Sequence, residues 1–526
     1  MLRRERRCGR MAAMDRRRFL RGSALATGAA VCGRVGWAQD VSAVSLRLTL
    51  DPHQRGNPIP ADFTGLSYET AQLADPDFFS ATNTELVGFV RRLGRTGVLR
   101  IGGNTSEFSA WSAETPRQED TTPTEAVRED AQANVIPQAL AVGPDTGHGP
   151  PKAGKITPQA VRNLRGFIDA TGWRLIYGLN MGTESAETAA AEAEYVMRTM
   201  GDKLIAFQLC NEPNLFYRNG LRKSDYNFAQ FAQEWQHFYE VIRQKAPNAA
   251  FGGPDTAFSS DSGEWVVQFA KQFRNEVAFL SDHYYAEGPP TDPSMTLERL
   301  LRPNPKLVQE FEGMAQTKAE SNLPFRLAET NSCYHGGKPG VSDTFAAALW
   351  GADLMYQLAS AGGAGINFHG GGYGVYTPIA GTVASGFVAR PIFYGMLLFA
   401  EAGPGHLIGA RLEGQENAPL VTAYGVLSDA EAPERVRAVV FNKHADRPVH
   451  VRIEGAEGAG WARALRLSAP RLDDTQDVTL GSNPVGASGA WDAARAEELP
   501  VHGGAASIGL PAGSAALVTF HFGEHK

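Results

Sequence analysis

Eight short apolar runs, separated by longer amphipathic stretches, organise the chain between Phe63 and about Gly370. They span 63–69, 98–103, 174–180, 204–212, 249–254, 279–285, 325–330 and 365–370. A strand covered on both faces reads as such a run, and parallel neighbours need a crossover, usually a helix, between them. The intervening segments carry helix signals. Thr157-Pro158 forms an N-cap with proline in the first turn, ahead of Val161, Leu164 and Ile168. Phe228, Phe231, Trp235 and Phe238 fall at helical spacing and form a core-facing stripe. Eight β-α units over roughly 300 residues predict an α/β fold, a (β/α)8 TIM barrel, with a doubly wound open sheet as the alternative. Residues 117–155, rich in Pro, Gly and Thr, interrupt the pattern as a long excursion near the barrel rim.

The flanks differ. Residues 44–50 alternate apolar and polar like a half-buried strand, before Pro52, Pro58 and Pro60 break the chain. Beyond about Pro391 the helical pattern fades, and 420–424, 436–441, 449–453 and 515–522 read as strands of a C-terminal all-β sandwich. The 44–50 strand is expected to join that module, because a lone strand outside a closed barrel has no other partner. The expected organisation is 1–38 leader, 39–58 N-terminal strand, 59–393 barrel and 394–526 sandwich.

The leader contains Asp15-Arg16-Arg17-Arg18-Phe19-Leu20-Arg21, a mildly apolar small-residue run and a cleavage-like Gly36-Trp37-Ala38. That pattern predicts twin-arginine export and a periplasmic or secreted protein. Its 10 Lys+Arg and 2 Asp+Glu leave 40 basic against 55 acidic residues in the remainder, a net charge of −15. Such a charge disfavours nucleic acid or long polyanions as partners. No apolar run reaches the roughly 18 residues of a membrane span. Cys210 and Cys333, the two cysteines beyond the leader, fit no metal spacing and are expected as buried thiols.

Active sites of such barrels lie at the C-terminal strand ends. Strand four ends in Cys210-Asn211-Glu212-Pro213-Asn214 and strand seven in Ala328-Glu329-Thr330. Either glutamate alone is explained as a rim ion-pair partner. Two together suit glycoside hydrolysis, which needs one protonated and one ionised carboxyl flanking a single bond.

With these glutamates, Gly65-Leu66-Ser67-Tyr68-Glu69, Leu99-Arg100-Ile101-Gly102-Gly103-Asn104 and the run from Glu329 through Tyr334-His335-Gly336-Gly337 to Ser342-Asp343-Thr344-Phe345 resemble the heparanase/β-glucuronidase family, glycoside hydrolase family 79. The resemblance implies Glu212 as acid/base and Glu329 as nucleophile of a retaining double displacement. It implies Asn211 on the sugar 2-OH, Tyr284 holding the nucleophile, and Glu69 and Asn104 on hydroxyls across the ring. Tyr334 and Tyr376, with backbone N–H groups of His335 and Gly336, would close on a uronate carboxylate. His335 stands where the family often has glycine, and Tyr373 competes with Tyr376 for one role. The expected activity is an exo-acting β-glucuronidase with a carbohydrate substrate and no cofactor or metal. Rival readings are an endo-acting heparanase-like hydrolase, another β-glycosidase of the clan, and a non-catalytic carbohydrate-binding barrel.

Overall fold

The computed structural model describes residues 43–113, 154–257, 262–370, 374–428, 435–492 and 496–523, all of one compact unit from Ala43 on. The 1–38 leader, most of the 117–155 excursion and Tyr373 lie outside the described residues.

A first strand, β1 (Val44–Ile59), precedes eight parallel strands: β2 (Thr64–Glu69), β3 (Val98–Gly102), β4 (Arg174–Gly178), β5 (Leu204–Gln208), β6 (Phe251–Thr256), β7 (Phe279–Glu287), β8 (Phe325–Cys333) and β9 (Gly365–His369). These eight close into a barrel in sequence order, β9 pairing back onto β2. Each corresponds to one of the eight apolar runs. The longer helices around them are α1 (Thr84–Arg92), α2 (Pro158–Thr171), α3 (Ala186–Met200), α4 (Phe228–Lys245), α5 (Ser262–Phe273), α6 (Pro305–Ser321), α7 (Phe345–Ser360) and α8 (Pro391–Ala402). Thr157 caps α2 by accepting the Ala160 N–H, with Pro158 in the first turn. On α4, Phe231, Trp235 and Phe238 are buried, and Phe228 packs against the same core.

Inside the barrel the residues are layered. Val98, Ile176, Ala206 and Phe279 form a small apolar cluster. Nearer the C-terminal ends the inward positions turn polar, with Ser67, Arg100, Gln208 and Ser281 bonded to one another through side chains or through Asp255. An apolar floor under a polar layer places the chemistry at one end.

The strands after α8 are β10 (Gly405–Glu413), β11 (Val421–Ser428), β12 (Arg435–Asn442), β13 (Val449–Glu454), β14 (Ala459–Ser468), β15 (Thr479–Leu480), β16 (Glu497–Pro500), β17 (Ala506–Leu510) and β18 (Ser514–Phe522). With β1 they make a ten-stranded sheet in the order β15-β14-β18-β12-β11-β10-β1-β13-β17, with β16 on β14. Leu46, Leu48, Val451, Ile508, Ala464 and Val518 share one core, so the sheet folds over itself as a sandwich. The predicted strand 44–50 sits inside it, antiparallel to β10 and parallel to β13. Two expectations need correction. Pro52 and Pro58 do not end this strand; it continues to Ile59, absorbing the prolines through register shifts between Asp51 and Arg55 and between Arg55 and Pro58. The expected boundary at 393/394 falls inside α8, whose apolar residues pack in the barrel core as far as Ala402.

Candidate active site

Arg100 organises the site. A buried guanidinium has five N–H donors and is tolerable only when they are satisfied. Here Nε donates to Gln208 Oε1 at 2.8 Å, and Nη1 to Ser67 Oγ at 3.1 Å and Glu329 Oε2 at 2.7 Å. Nη2 donates to Asn211 Oδ1 at 2.8 Å and, in a short bond, to Asp255 Oδ2. One side chain on β3 thus reaches residues at the ends of β2, β5, β6 and β8.

Glu329 is buried on β8, its Oε1 accepting from Tyr285 Oη at 2.7 Å. Burial alone would raise its pKa. His369, His283 and Arg100, with the Tyr285 bond, outweigh that and hold it well below the usual carboxylate range. Glu329 is therefore an anion with a cationic surround.

Glu212 follows β5 in a left-handed conformation, φ 51°, its N–H donating to the Asp255 carbonyl at 2.8 Å. Its Oε1 lies 3.0 Å from His283 Nδ1, while His283 Nε2 lies 3.2 Å from Asp255 Oδ2. An imidazole between two carboxyls is best matched when both nitrogens carry protons. Burial opposes that charge, but Asp255 and Glu329, with bonds to Asp255 and Glu212, push the pKa up to about 10. One oxygen of Glu212, one of Glu329 and a ring nitrogen of His283 lie within 4.8 Å of one another. This trio has metal-ligand donors, yet His283 Nδ1 already faces Glu212 and Glu329 already accepts from Arg100 and Tyr285.

Asn211 is held on both sides. Its Oδ1 accepts from Arg100 and its Nδ2 donates to Asn104 Oδ1 at 3.2 Å. Glu69 Oε2 accepts from the Thr105 N–H at 2.8 Å and its hydroxyl at 2.6 Å, and Oε1 lies 3.5 Å from His369 Nε2. The close approach needs Gly103, φ 73°, where a Cβ would stand 2.5 Å from the Glu69 carboxyl. His369 Nδ1 is 3.5 Å from Glu329 Oε2, so this imidazole spans the two carboxylates; burial would lower its pKa, but Glu329 and Glu69 raise it.

The aromatic wall departs from expectation at one position. Tyr284 does not hold Glu329, as the resemblance implied: its hydroxyl accepts from Asn304 Nδ2 at 3.2 Å, away from the site, and Tyr285 makes the bond to Glu329. The cause is strand alternation. His283 faces inward on β7, so Tyr285 does too and Tyr284 faces out. Tyr285 is flanked by Tyr334 and Tyr376, with ring centroids 6.5 and 6.1 Å away, and Tyr376 also approaches His369 at 6.0 Å. His335, Gly336 and Gly337 follow with φ of 61°, 84° and 94°, and the Gly336 carbonyl accepts from the Val375 and Tyr376 N–H groups. Among the described residues nothing accepts from the N–H groups of Gly336 or Gly337. A left-handed run of this kind turns N–H groups toward an anion. Lys338, the cation nearest in sequence, donates instead to the Asp292 carbonyl.

The structure thus gathers Glu69, Asn104, Asn211, Glu212, Glu329, Tyr334, His335, Gly336 and Tyr376 around one strand-end site and excludes Tyr284. Sequence reasoning missed Arg100, Asp255, His283, Tyr285 and His369. Cys210 and Cys333 are free, buried thiols. No described helix is long and apolar enough to cross a membrane.

No protein-family profile matches the chain. A β-glucuronidase of Aspergillus niger is 26% identical over 340 residues, 59% of this chain and 58% of that protein. One of Neurospora crassa is 23% identical over 408 residues, 70% and 68% of the two chains. Heparanase of Bos taurus is 27% identical over 219 residues, 39% of this chain and 38% of that protein. In fold, the chain is similar to a 4-O-α-L-rhamnosyl-β-D-glucuronidase from Fusarium oxysporum, with TM-score 0.68, 19% identity and coverage of 90% of this chain and 100% of that one. In sequence the chain is thus similar to β-glucuronidases and heparanase, and in fold to a glucuronidase with the same barrel-and-sandwich architecture.

Proposed function

We propose that the protein is a retaining, exo-acting β-glucuronidase. The observation that carries the reading is the Glu212–Glu329 pair, with oxygens within 4.8 Å and Glu329 held ionised. Retaining pairs stand about 5–5.5 Å apart, inverting pairs roughly 6.5–9.5 Å. A carboxylate of Glu329 attacks the anomeric carbon while Glu212 gives its proton to the departing glycosidic oxygen. Glu212 then takes a proton from water, which attacks the same carbon and releases Glu329. Tyr285 and Arg100 each occupy one lone pair of Glu329, which fixes the direction of attack. Asn211 offers an N–H to the 2-OH, a bond that strengthens in the transition state.

The glucuronide preference rests on the relatives' names and on the region around Tyr334, Tyr376 and Gly336-Gly337, whose neutral donors would face the uronate carboxylate. Bonds from neutral donors to a charged group contribute about 1.5–3 kcal/mol each. The acidic mature charge argues against an endo-acting enzyme on sulfated chains. Export through the 1–38 leader would place the enzyme in the periplasm or outside the cell.

A panel of 4-nitrophenyl β-glycosides (glucuronide, glucoside, galactoside, xyloside), with NMR of the first-formed anomer, tests the reading. Turnover of the glucuronide with β-anomer released first is expected. Equal turnover of glucoside and glucuronide removes the uronate assignment, and α-anomer released first removes the double displacement. Faster cleavage inside a polymeric glucuronan than at its non-reducing end removes the exo mode.

A further inference from the structure

Glu107 lies behind the acid/base and outside the reacting shell, in the turn after β3. It is buried, and its Oε1 accepts the backbone N–H of Asn211 at 2.5 Å. Its other oxygen lies against the backbone of Met181 and Gly182, in the loop after β4; a Cβ on Gly182 would come within 2.8 Å of it. That loop is clamped from beyond: Arg222 donates to the carbonyls of Met181 and Gly182 while bonded to Glu234. Thr183 Oγ1 donates to the Glu107 carbonyl at 2.8 Å. One side chain therefore ties the ends of β3, β4 and β5 together, at the Cys210–Asn211 peptide that leads into Glu212.

That peptide needs holding. Glu212 sits at φ 51°, where a residue with a Cβ persists only if its surroundings over-determine it. The described backbone bonds that fix the segment are the Asn211 N–H to Glu107, the Glu212 N–H to Asp255 and the Leu215 N–H to the Glu212 carbonyl. Removing the first frees the peptide just ahead of the acid. Burial raises the Glu107 carboxyl to about 8, against the backbone bond from Asn211. Toward Asn211 it serves as an acceptor.

We infer that Glu107 is a positioning residue for the acid/base, setting the pitch of Glu212 and the amide of Asn211 through the Asn211 N–H. The inference rests on the reading of Glu212 as acid/base, so Glu212→Gln is measured beside it. Glu107→Met keeps the volume and removes the acceptor; Glu107→Gln keeps an acceptor. Kinetics on 4-nitrophenyl and methyl β-glucuronide are compared, or on the matching pair of whichever glycoside the wild type turns over. For Glu107→Met, kcat on the methyl glycoside falls about tenfold more than on the nitrophenyl one, part of the 10²–10⁴ a positioned acid/base contributes. KM stays within about twofold and Glu107→Gln recovers most of the loss. If Glu107→Met does not fold, Gly182→Ala, which pushes the same carboxyl, carries the test with the same expected signature. Equal losses on both leaving groups, or no recovery with Gln, overturn the inference when Glu212→Gln itself shows the leaving-group bias. If Glu212→Gln lacks that bias, the acid/base assignment is what fails.

Discussion

At the scale of single residues, the two tyrosines at the end of β7 give the sharpest contrast. Tyr285 donates to Glu329, whereas the Tyr284 hydroxyl accepts from Asn304 on the other face of the strand. A bond to a charged acceptor contributes about 1.5–3 kcal/mol, so Tyr285→Phe should lower kcat/KM roughly 10- to 100-fold, while Tyr284→Phe stays within about threefold. Steady-state kinetics of the two variants check this, and the opposite ranking would return the role to Tyr284. The tyrosine was legible as a type and misplaced by one position, because His283-Tyr284-Tyr285 offers two aromatics and the choice depends on which face His283 takes. Arg100 had a plainer signal, a charged residue inside the run Leu99-Arg100-Ile101. A cation at an inward strand position demands anions around it, and Glu329 and Asp255 are those anions. Distance along the chain hid the partners. His283 also makes a pH prediction. Its folded pKa, about 10, is raised above the unfolded value, so its stabilisation is complete below about pH 6.5 and is lost as pH rises toward 10. Thermal melts from pH 6 to 10 should fall more steeply for the wild type than for His283→Gln; parallel curves would deny the buried charge.

At the scale of elements, the eight strands were legible because a strand buried on both faces has no alternative to a continuous apolar run. What lies between a strand and its covering helix was not. Asp282, on the outward face of β7, accepts from Thr256 Oγ1 at 2.6 Å and from the His283 N–H, and it shares a hydrogen bond with Glu310 of α6. Two carboxyls in contact, Asp282 buried and Glu310 half-buried, do not readily both ionise, and desolvation, reinforced by Glu310, raises Asp282 well above its ordinary value; desolvation raises Glu310 as well. Raised acids bind a proton in the fold that the unfolded chain releases. Their stabilisation is therefore present below about pH 4 and is lost as pH climbs toward the folded values. Asp282→Asn imitates the protonated acid without needing the proton. It should melt higher than the wild type at pH 7–8 and converge with it near pH 4, in scanning fluorimetry. A variant that melts lower than the wild type at pH 8 would mean the pair is held by something other than a shared proton.

At the scale of the whole molecule, the question is whether barrel and sandwich are two folding units or one. The sequence suggested two, because the periodicity changes near Pro391. The packing ties them together. The barrel-facing side of the sandwich, with Val439, Phe441, Leu467 and Leu517, belongs to the same apolar cluster as Tyr356 of α7 and Phe399 of α8. β1, an interior strand of the sandwich sheet, leads directly into the first barrel strand. A polar tie crosses the joint: Asp353 of α7 pairs with Lys443 and accepts from Thr422 Oγ1 at 2.8 Å and Tyr424 Oη at 2.7 Å. Both charges are buried, and removing one partner of such a pair costs about 3–5 kcal/mol because the other is left unpaired. Asp353→Ala should therefore lower the melting temperature of a single calorimetric transition, barrel and sandwich together. Asp353→Asn combined with Lys443→Met should recover much of the loss, since no orphaned charge remains. If the trace instead separates into two steps and only one moves, the joint is a contact between independent domains. The sandwich would then be dispensable for holding α7 and α8, the two helices that cover the β8 and β9 strands carrying Glu329 and His369.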